Sequence, residues 1–207
     1  MTQPKPHIGI QFVAKLPHEA IEDFARDIGH PNLIYHQYRR DDFGFYAGLE
    51  WLVPTAIVVY LAKPYFNSFL SEAGKDHYQL LRKALIKIAK RYIGKEAPVL
   101  QVMSAGGKGK VPSGKYSLVF SVVADLGFGT AVKLLIESDL EHPQVELATT
   151  VFLGFINAMH QGQADLLQIQ GMESVRPSGG LLLVRYDQMS QRLVAVDPLP
   201  KRNEPGT

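Results

Sequence analysis

The glycine- and lysine-rich segment 104–115, SAGGKGKVPSGK, contains the residue types that bind phosphate groups. In such loops, free backbone N–H groups and a lysine ammonium together bind phosphate oxygens. A P-loop ends in Gly-Lys-Ser or Gly-Lys-Thr and leads into a helix, whereas this segment ends in Gly-Lys-Tyr and leads into a predicted strand. The segment is therefore not a Walker motif. We interpret it either as a solvated hairpin loop or as a site for a phosphorylated small molecule or nucleotide, with Lys108, Lys110 and Lys115 as its cations.

A second set of cations lies on one face of a predicted helix. Asp76 is expected to cap this helix, with Gln79 completing a capping box, and Gly94 is expected to end it. Apolar side chains recur at intervals of three and four residues along one face: Tyr78, Leu81, Leu85, Ile88 and Tyr92. The other face is cationic, with Arg82, Lys83, Lys87, Lys90 and Arg91. The spacing predicts a helix that is buried on one side and strongly basic on the other.

The distribution of charge along the chain isolates this basic region. The net charge is −2 over residues 1–74, +8 over 75–115 and −4 over 116–207. The basic face contains no local acid, because residues 77–95 include neither Asp nor Glu. It is therefore expected either to pair with acidic residues of the flanking segments or to bind an external polyanion, an anionic membrane surface or an acidic protein.

Residues suited to catalysis or metal binding are present without a recognised pattern. The chain has 7 histidines and no cysteine, and it lacks HExxH and GxSxG motifs. His30 and His36 with Asp41 and Asp42 are of the right types for a metal site, but a loop and a strand intervene. We interpret the histidines as surface or turn residues, and we predict no catalytic residue, no metal site and no cofactor.

The order of predicted elements indicates an α+β fold. Strands and helices follow one another as β-α-β, a helical block and then β-β-β-α-β-β. This order predicts a mainly antiparallel sheet packed against a helical layer formed mostly by residues 49–93. We predict a single domain over residues 1–207 with two lobes, one rich in helix (1–95) and one rich in strand (96–207).

The apolar stretch 43–62 has two interpretations. Its 20 residues are long enough to span a bilayer, and Glu50 is its only charged residue. Glu50 and Pro54 would both be costly within a membrane helix, so a buried helix of a soluble core is favoured. With the other apolar segments, this predicts a core that contains Trp51, Leu52, Ile57, Tyr60, Leu81, Leu85, Ile88, Phe120, Val122, Leu135, Phe152 and Phe155.

The function predicted from these features is that of a cytosolic, non-enzymatic interaction protein. Its cationic helix face would engage an acidic protein or another polyanion, with nucleic acid the less supported choice because aromatic residues are sparse on that face. One alternative is binding of a phosphorylated small molecule or nucleotide at 104–115, with or without catalysis. A second alternative is membrane association through residues 43–62.

Overall fold

A computed structural model describes residues 6–41, 55–94 and 115–197 of the 207-residue chain. Seven strands and three longer helices are found in these ranges. In chain order they are β1 (Ile8–Val13), α1 (Glu19–Asp27), β2 (Tyr35–Arg40), β3 (Ile57–Leu61), α2 (Leu70–Tyr92), β4 (Phe120–Gly127), β5 (Thr130–Leu135), α3 (His142–His160), β6 (Leu181–Asp187) and β7 (Arg192–Val196). A π-helical turn, Tyr65–Phe69, precedes α2, and two short 3-10 turns, Leu166–Gln168 and Met172–Ser174, follow α3.

The strands form one mixed sheet in the order β2-β1-β3-β4-β5-β6-β7. The pairs β1–β2, β3–β4 and β5–β6 are parallel, and a helix lies between the two strands of each pair in the chain. The pairs β1–β3, β4–β5 and β6–β7 are antiparallel. The described strands thus follow a simple rule: a helical connection gives a parallel pair.

The α+β class is confirmed, but the prediction of a mainly antiparallel sheet is wrong. Parallel strands need a long crossover, usually a helix, and α1, α2 and α3 each provide one between neighbouring strands. Among the described strands, only β4–β5 and β6–β7 are pairs of consecutive antiparallel strands. The two predicted lobes are not supported, because a single sheet joins strands from both halves of the chain.

One face of the sheet forms the main core with the helices. The strand residues in this core are register partners of one another: Ile10 pairs with Val59, and Val59 with Val122. The helices α1, α2 and α3 lie side by side with α2 in the middle, since α2 contacts both others. Residues that alternate with this set, such as Tyr60 and Asp125, therefore lie on the second face of the sheet.

The apolar stretch 43–62 is a strand where the structure describes it. Ile57–Leu61 forms β3, which pairs with β1 on one side and β4 on the other. The prediction of a buried helix is therefore wrong for these residues, while 43–54 lies outside the described ranges. Within the described ranges, none of the helices has the length and apolar character needed to cross a bilayer.

The start of α2 also differs from the prediction. The helical path is broken at Gly74, with φ 77° and ψ 178°, and continues from there through Asp76. Asp76 therefore lies inside the helix and does not cap it. The predicted end is close to the observed one, since α2 ends at Tyr92 and Gly94 has a φ of 111°. A positive φ at this position is the conformation that favours glycine.

The predicted core is largely found. The buried members are Ile57, Leu81, Leu85, Ile88, Phe120, Val122, Leu135 and Phe152. Phe155 packs against the core but is only partly buried. The prediction that Tyr60 is buried is wrong, since 36% of its surface is exposed. In a strand, Tyr60 alternates with Val59 and Leu61 and therefore points to the second face. Trp51 and Leu52 lie outside the described residues.

Candidate functional site

The predicted cationic helix face is matched by acids from the neighbouring helices. Lys87 Nζ lies 2.7 Å from Asp27 Oδ2. The other two pairs are similarly short: Lys90 Nζ lies 2.8 Å from Glu146 Oε2, and Arg91 Nη2 lies 2.9 Å from Glu19 Oε2. The hydrogen bond and charge of Lys90 lower the pKa of Glu146. Three of the five predicted helix cations therefore join α2 to α1 and α3.

The remaining predicted site residues that the structure describes lie in different surroundings. Lys83 is exposed, and the Nε atom of Arg82 is buried without a hydrogen-bond partner. Lys115 Nζ lies 3.1 Å from Glu137 Oε1, so it belongs to a cluster at the end of β5 that also contains Arg185. Lys108 and Lys110 lie outside the described residues, as does most of the segment 104–115.

The histidines do not gather into a metal site in the part of the chain that is described. His36 is exposed on the edge strand β2, whereas the His30 ring packs against Phe69. The prediction of surface or turn histidines is wrong for His77, which is 2% exposed. His77 lies four residues before Leu81 in α2 and therefore shares the buried face of that helix.

A cleft not predicted from the sequence lies where the parallel strands β3 and β4 end. Its volume is about 900 Å³, enough for a small molecule. Proteins with parallel strands commonly bind ligands at the carboxyl ends of those strands. Polar side chains from two stretches of the chain, 60–68 and 125–130, line the cleft: Tyr60, Lys63, Asn67, Ser68, Asp125 and Thr130.

Tyr60 and Asp125 are neighbours in this cleft and are called here the Tyr60–Asp125 pair. Burial, followed by the charge of Asp125, raises the pKa of Tyr60 to about 12. The phenol is therefore protonated at neutral pH and can donate a hydrogen bond. The Asp125 Oδ1 atom accepts a hydrogen bond of 2.7 Å from the backbone N–H of Gly127. This hydrogen bond holds the carboxylate in place.

A β-bulge re-orients the chain beside this pair. The register between β4 and β5 shifts between Asp125 and Gly127. Positive φ values occur at three consecutive residues here: Gly127 (85°), Phe128 (53°) and Gly129 (76°). Bulges of this kind are common next to binding sites because they redirect side chains. Here the bulge places the Phe128 ring at the rim of the cleft.

Lys63 extends along the same rim. Its Nζ atom lies 4.8 Å from the centre of the Phe128 ring. A Cβ atom at Gly127 would lie 2.9 Å from the Cδ and Nζ atoms of Lys63. Any side chain at position 127 would therefore displace Lys63. The positive φ of Gly127 also favours glycine at this position.

The opposite wall of the cleft is the π-helical turn, which carries Asn67 and Ser68. Single π-helical turns are uncommon in proteins, and many of those that occur lie at functional sites. Behind this wall, the ring of Phe66 stacks on the ring of His160 at 4.5 Å. The Nε2 atom of His160 lies 3.0 Å from the backbone carbonyl oxygen of Asp125, so it carries the proton and donates it. The end of α3 thereby supports the strand that carries the carboxylate.

The cleft contains side chains that can bind a polar ligand. Lys63 provides a cation, Asp125 an anion, and Asn67 and Thr130 groups that donate or accept hydrogen bonds. Ser68 Oγ donates to the carbonyl of Pro64 at 2.8 Å, so it is not activated by a base. Among the described residues that line the cleft, no hydroxyl is hydrogen-bonded to a histidine.

Two local signals in the sequence bear on this site. The turn DLGFG, residues 125–129, places a bulky aromatic between two glycines, where hairpin turns usually have Asn or Gly. Lys63 directly follows the apolar stretch 43–62 and precedes a proline. Neither signal indicates that the two segments meet, because that depends on the parallel pairing of β3 with β4.

The chain was compared with protein-family models, with curated protein sequences and with solved structures, and none of these comparisons gave a match.

Proposed function

We propose that this protein binds a small anionic molecule in the cleft at the carboxyl ends of β3 and β4. The single observation that carries the proposal is the convergence of Lys63, the Tyr60–Asp125 pair and the π-helical turn on one concave site. Lys63 would bind the anionic group, since a charge-assisted hydrogen bond is stronger than a neutral one. Asp125 would accept hydrogen bonds from ligand hydroxyl or amino groups.

This proposal keeps the ligand class of the first alternative interpretation of the sequence and changes its location. In that alternative, segment 104–115 is the site for a phosphorylated small molecule or nucleotide. The cleft offers a cation, an anion and hydrogen-bonding groups on regular elements of the fold. Sites on such elements hold their groups more precisely than sites on loops.

Titration calorimetry with ribose phosphate, and with ribose as the uncharged control, tests the proposal. Ribose phosphate is expected to bind and ribose to bind more weakly. Lys63→Gln should weaken ribose phosphate binding by roughly tenfold or more, as expected for the loss of one charged contact. Lys15→Gln is the matched control, because Lys15 is exposed beyond the opposite end of β1. Equal binding by wild type and Lys63→Gln, or no binding, would overturn the proposal.

A second proposal is that the cationic face of α2 engages an acidic protein or polyanion. It is supported by the exposed Lys83 and by the partial exposure of Lys87, Lys90 and Arg91 in their ion pairs. Exposed ion pairs contribute only about 0–1 kcal/mol each, so an external anion can replace the internal carboxylates at low cost. Retention on heparin that weakens as salt rises is the expected result, and no retention even at low salt would refute a polyanion partner.

A further inference from the structure

Phe128 combines full exposure with an unusual backbone conformation, and the packing of the fold accounts for neither. Its side chain is fully exposed, and its φ of 53° lies in the left-handed region. A bulky residue in that region is strained, and hairpin turns with this geometry favour Gly, Asn or Asp. Burial of the ring does not offset the strain. Such backbone outliers cluster at binding sites, so the contacts of the Phe128 ring are relevant to function.

The contact is with Lys63 at the mouth of the cleft. The Lys63 Nζ atom lies over one face of the ring at 4.8 Å, within the range of a cation–π interaction. Because the ring is fully exposed, its other face is open to a ligand. A flat apolar surface and a cation are therefore presented side by side at one rim.

The surroundings distinguish this arrangement from a protein-docking patch. Other strongly exposed apolar residues in the described part of the chain include Leu147 on α3, Leu167 in a 3-10 turn and Met189 between β6 and β7. None of these three lines the cleft. Protein interfaces need contiguous apolar area, whereas one exposed aromatic ring beside polar groups suits a small ligand.

We infer that the ligand of the cleft carries a flat ring, which stacks on Phe128, and an anionic group, which binds Lys63. This inference rests on the proposed function and specifies its ligand class. The Tyr60–Asp125 pair would then accept hydrogen bonds from the polar part that joins the ring to the anion. A nucleoside monophosphate has these three parts, and adenosine monophosphate (AMP) is a suitable probe.

The test compares AMP with ribose phosphate, which is the same molecule without the ring. Wild type is expected to bind AMP more tightly than ribose phosphate, and Phe128→Ala should remove that difference. The expected loss of AMP affinity is about 5- to 150-fold, the range for alanine substitution of a stacking aromatic. Phe128→Ala should weaken ribose phosphate binding much less than AMP binding, whereas Lys63→Gln should weaken both ligands. Phe128→Tyr, which keeps the ring, should retain AMP binding.

The controls separate the ring from the backbone strain. Phe128→Asn relieves the strain and removes the ring, so it should lose AMP affinity while the protein stays at least as stable as wild type. If Lys63→Gln weakens ribose phosphate binding but Phe128→Ala leaves AMP binding unchanged, this inference is wrong. The proposed function would then still stand. Failure of both ligands to bind would overturn the two together.

Discussion

The imidazole of His160, at the end of α3, donates a hydrogen bond of 3.0 Å to the backbone carbonyl of Asp125 in β4. The same ring stacks on Phe66 of the π-helical turn. One side chain therefore joins the two walls of the cleft from behind. Burial lowers the pKa of His160, and the nearby charge of Lys63 acts in the same direction. The ring is accordingly neutral at neutral pH.

Replacing His160 tests this support. We expect His160→Ala to weaken ribose phosphate binding and to lower the free energy of unfolding, because the stack and the hydrogen bond are both lost. His160→Gln keeps a donor and should lose less ligand affinity. His142→Ala is a matched control, since His142 is exposed at the other end of α3. Isothermal titration and urea unfolding measure the two effects, and ligand affinity unchanged in His160→Ala would show that the residue does not position the site.

His77 predicts a dependence of stability on pH. Its Nε2 atom lies 2.9 Å from the carbonyl oxygen of Ile28, so it donates, and its Nδ1 atom accepts from the Tyr65 hydroxyl at 3.1 Å. Burial lowers the pKa of His77 below its ordinary value, with His30 adding to the shift. The unfolded chain therefore binds a proton more readily than the folded one. The contribution of His77 to the free energy of unfolding should be fully present above about pH 6.5. It should decrease as the pH falls below that value.

Urea unfolding between about pH 5 and 8 measures this effect, since most carboxylates titrate below that window. His77→Gln should reduce the pH dependence even if it lowers stability at neutral pH. His36→Gln, at an exposed position on β2, should leave the pH dependence unchanged. A slope equal to that of wild type in His77→Gln would contradict the assignment.

The buried face of α2 predicts a contrast between two leucines of one helix. Leu85 is completely buried, while Leu80 is 44% exposed. Leu85→Ala should lower the free energy of unfolding by about 2–5 kcal/mol, because it removes buried apolar surface and leaves a cavity. Leu80→Ala should change it by less than about 1 kcal/mol. Chemical denaturation of both variants gives the comparison, and similar losses would mean that the helix does not pack as described.

The ion pairs of α2 predict small and separable effects on stability. Lys87→Gln and Lys90→Gln each remove a partly exposed pair and should lower stability only slightly, because solvent screens exposed charges. Lys83→Gln should leave stability unchanged, since Lys83 has no ion pair among the described residues. If the face also binds polyanions, heparin affinity should fall in all three variants. A double-mutant cycle of Lys87→Gln with Asp27→Asn measures the pairing directly, and zero coupling would show that the pair does not contribute.

The sequence by itself determined several local features of the structure. The alternation in IGIQFV predicts β1, and the period of three and four residues predicts the buried face of α2 with Leu81, Leu85 and Ile88. Pro143 near the start of α3 and Gly162 just after it indicate where that helix begins and ends. These features are predictable because periodicity and helix-end residues act within one or two turns of the chain.

The tertiary structure decided which segments meet. Apolar periodicity gives the face of a strand but not its neighbour, so the parallel pairing of β3 with β4 was not predicted. That pairing determines the exposure of Tyr60 and the contact between Lys63 and Phe128. Likewise, the sequence predicted the basic face of α2, but the packing of α1 and α3 supplied Asp27 and Glu146 as its partners. Contacts between distant segments depend on the summed burial of many side chains, which local sequence patterns do not specify.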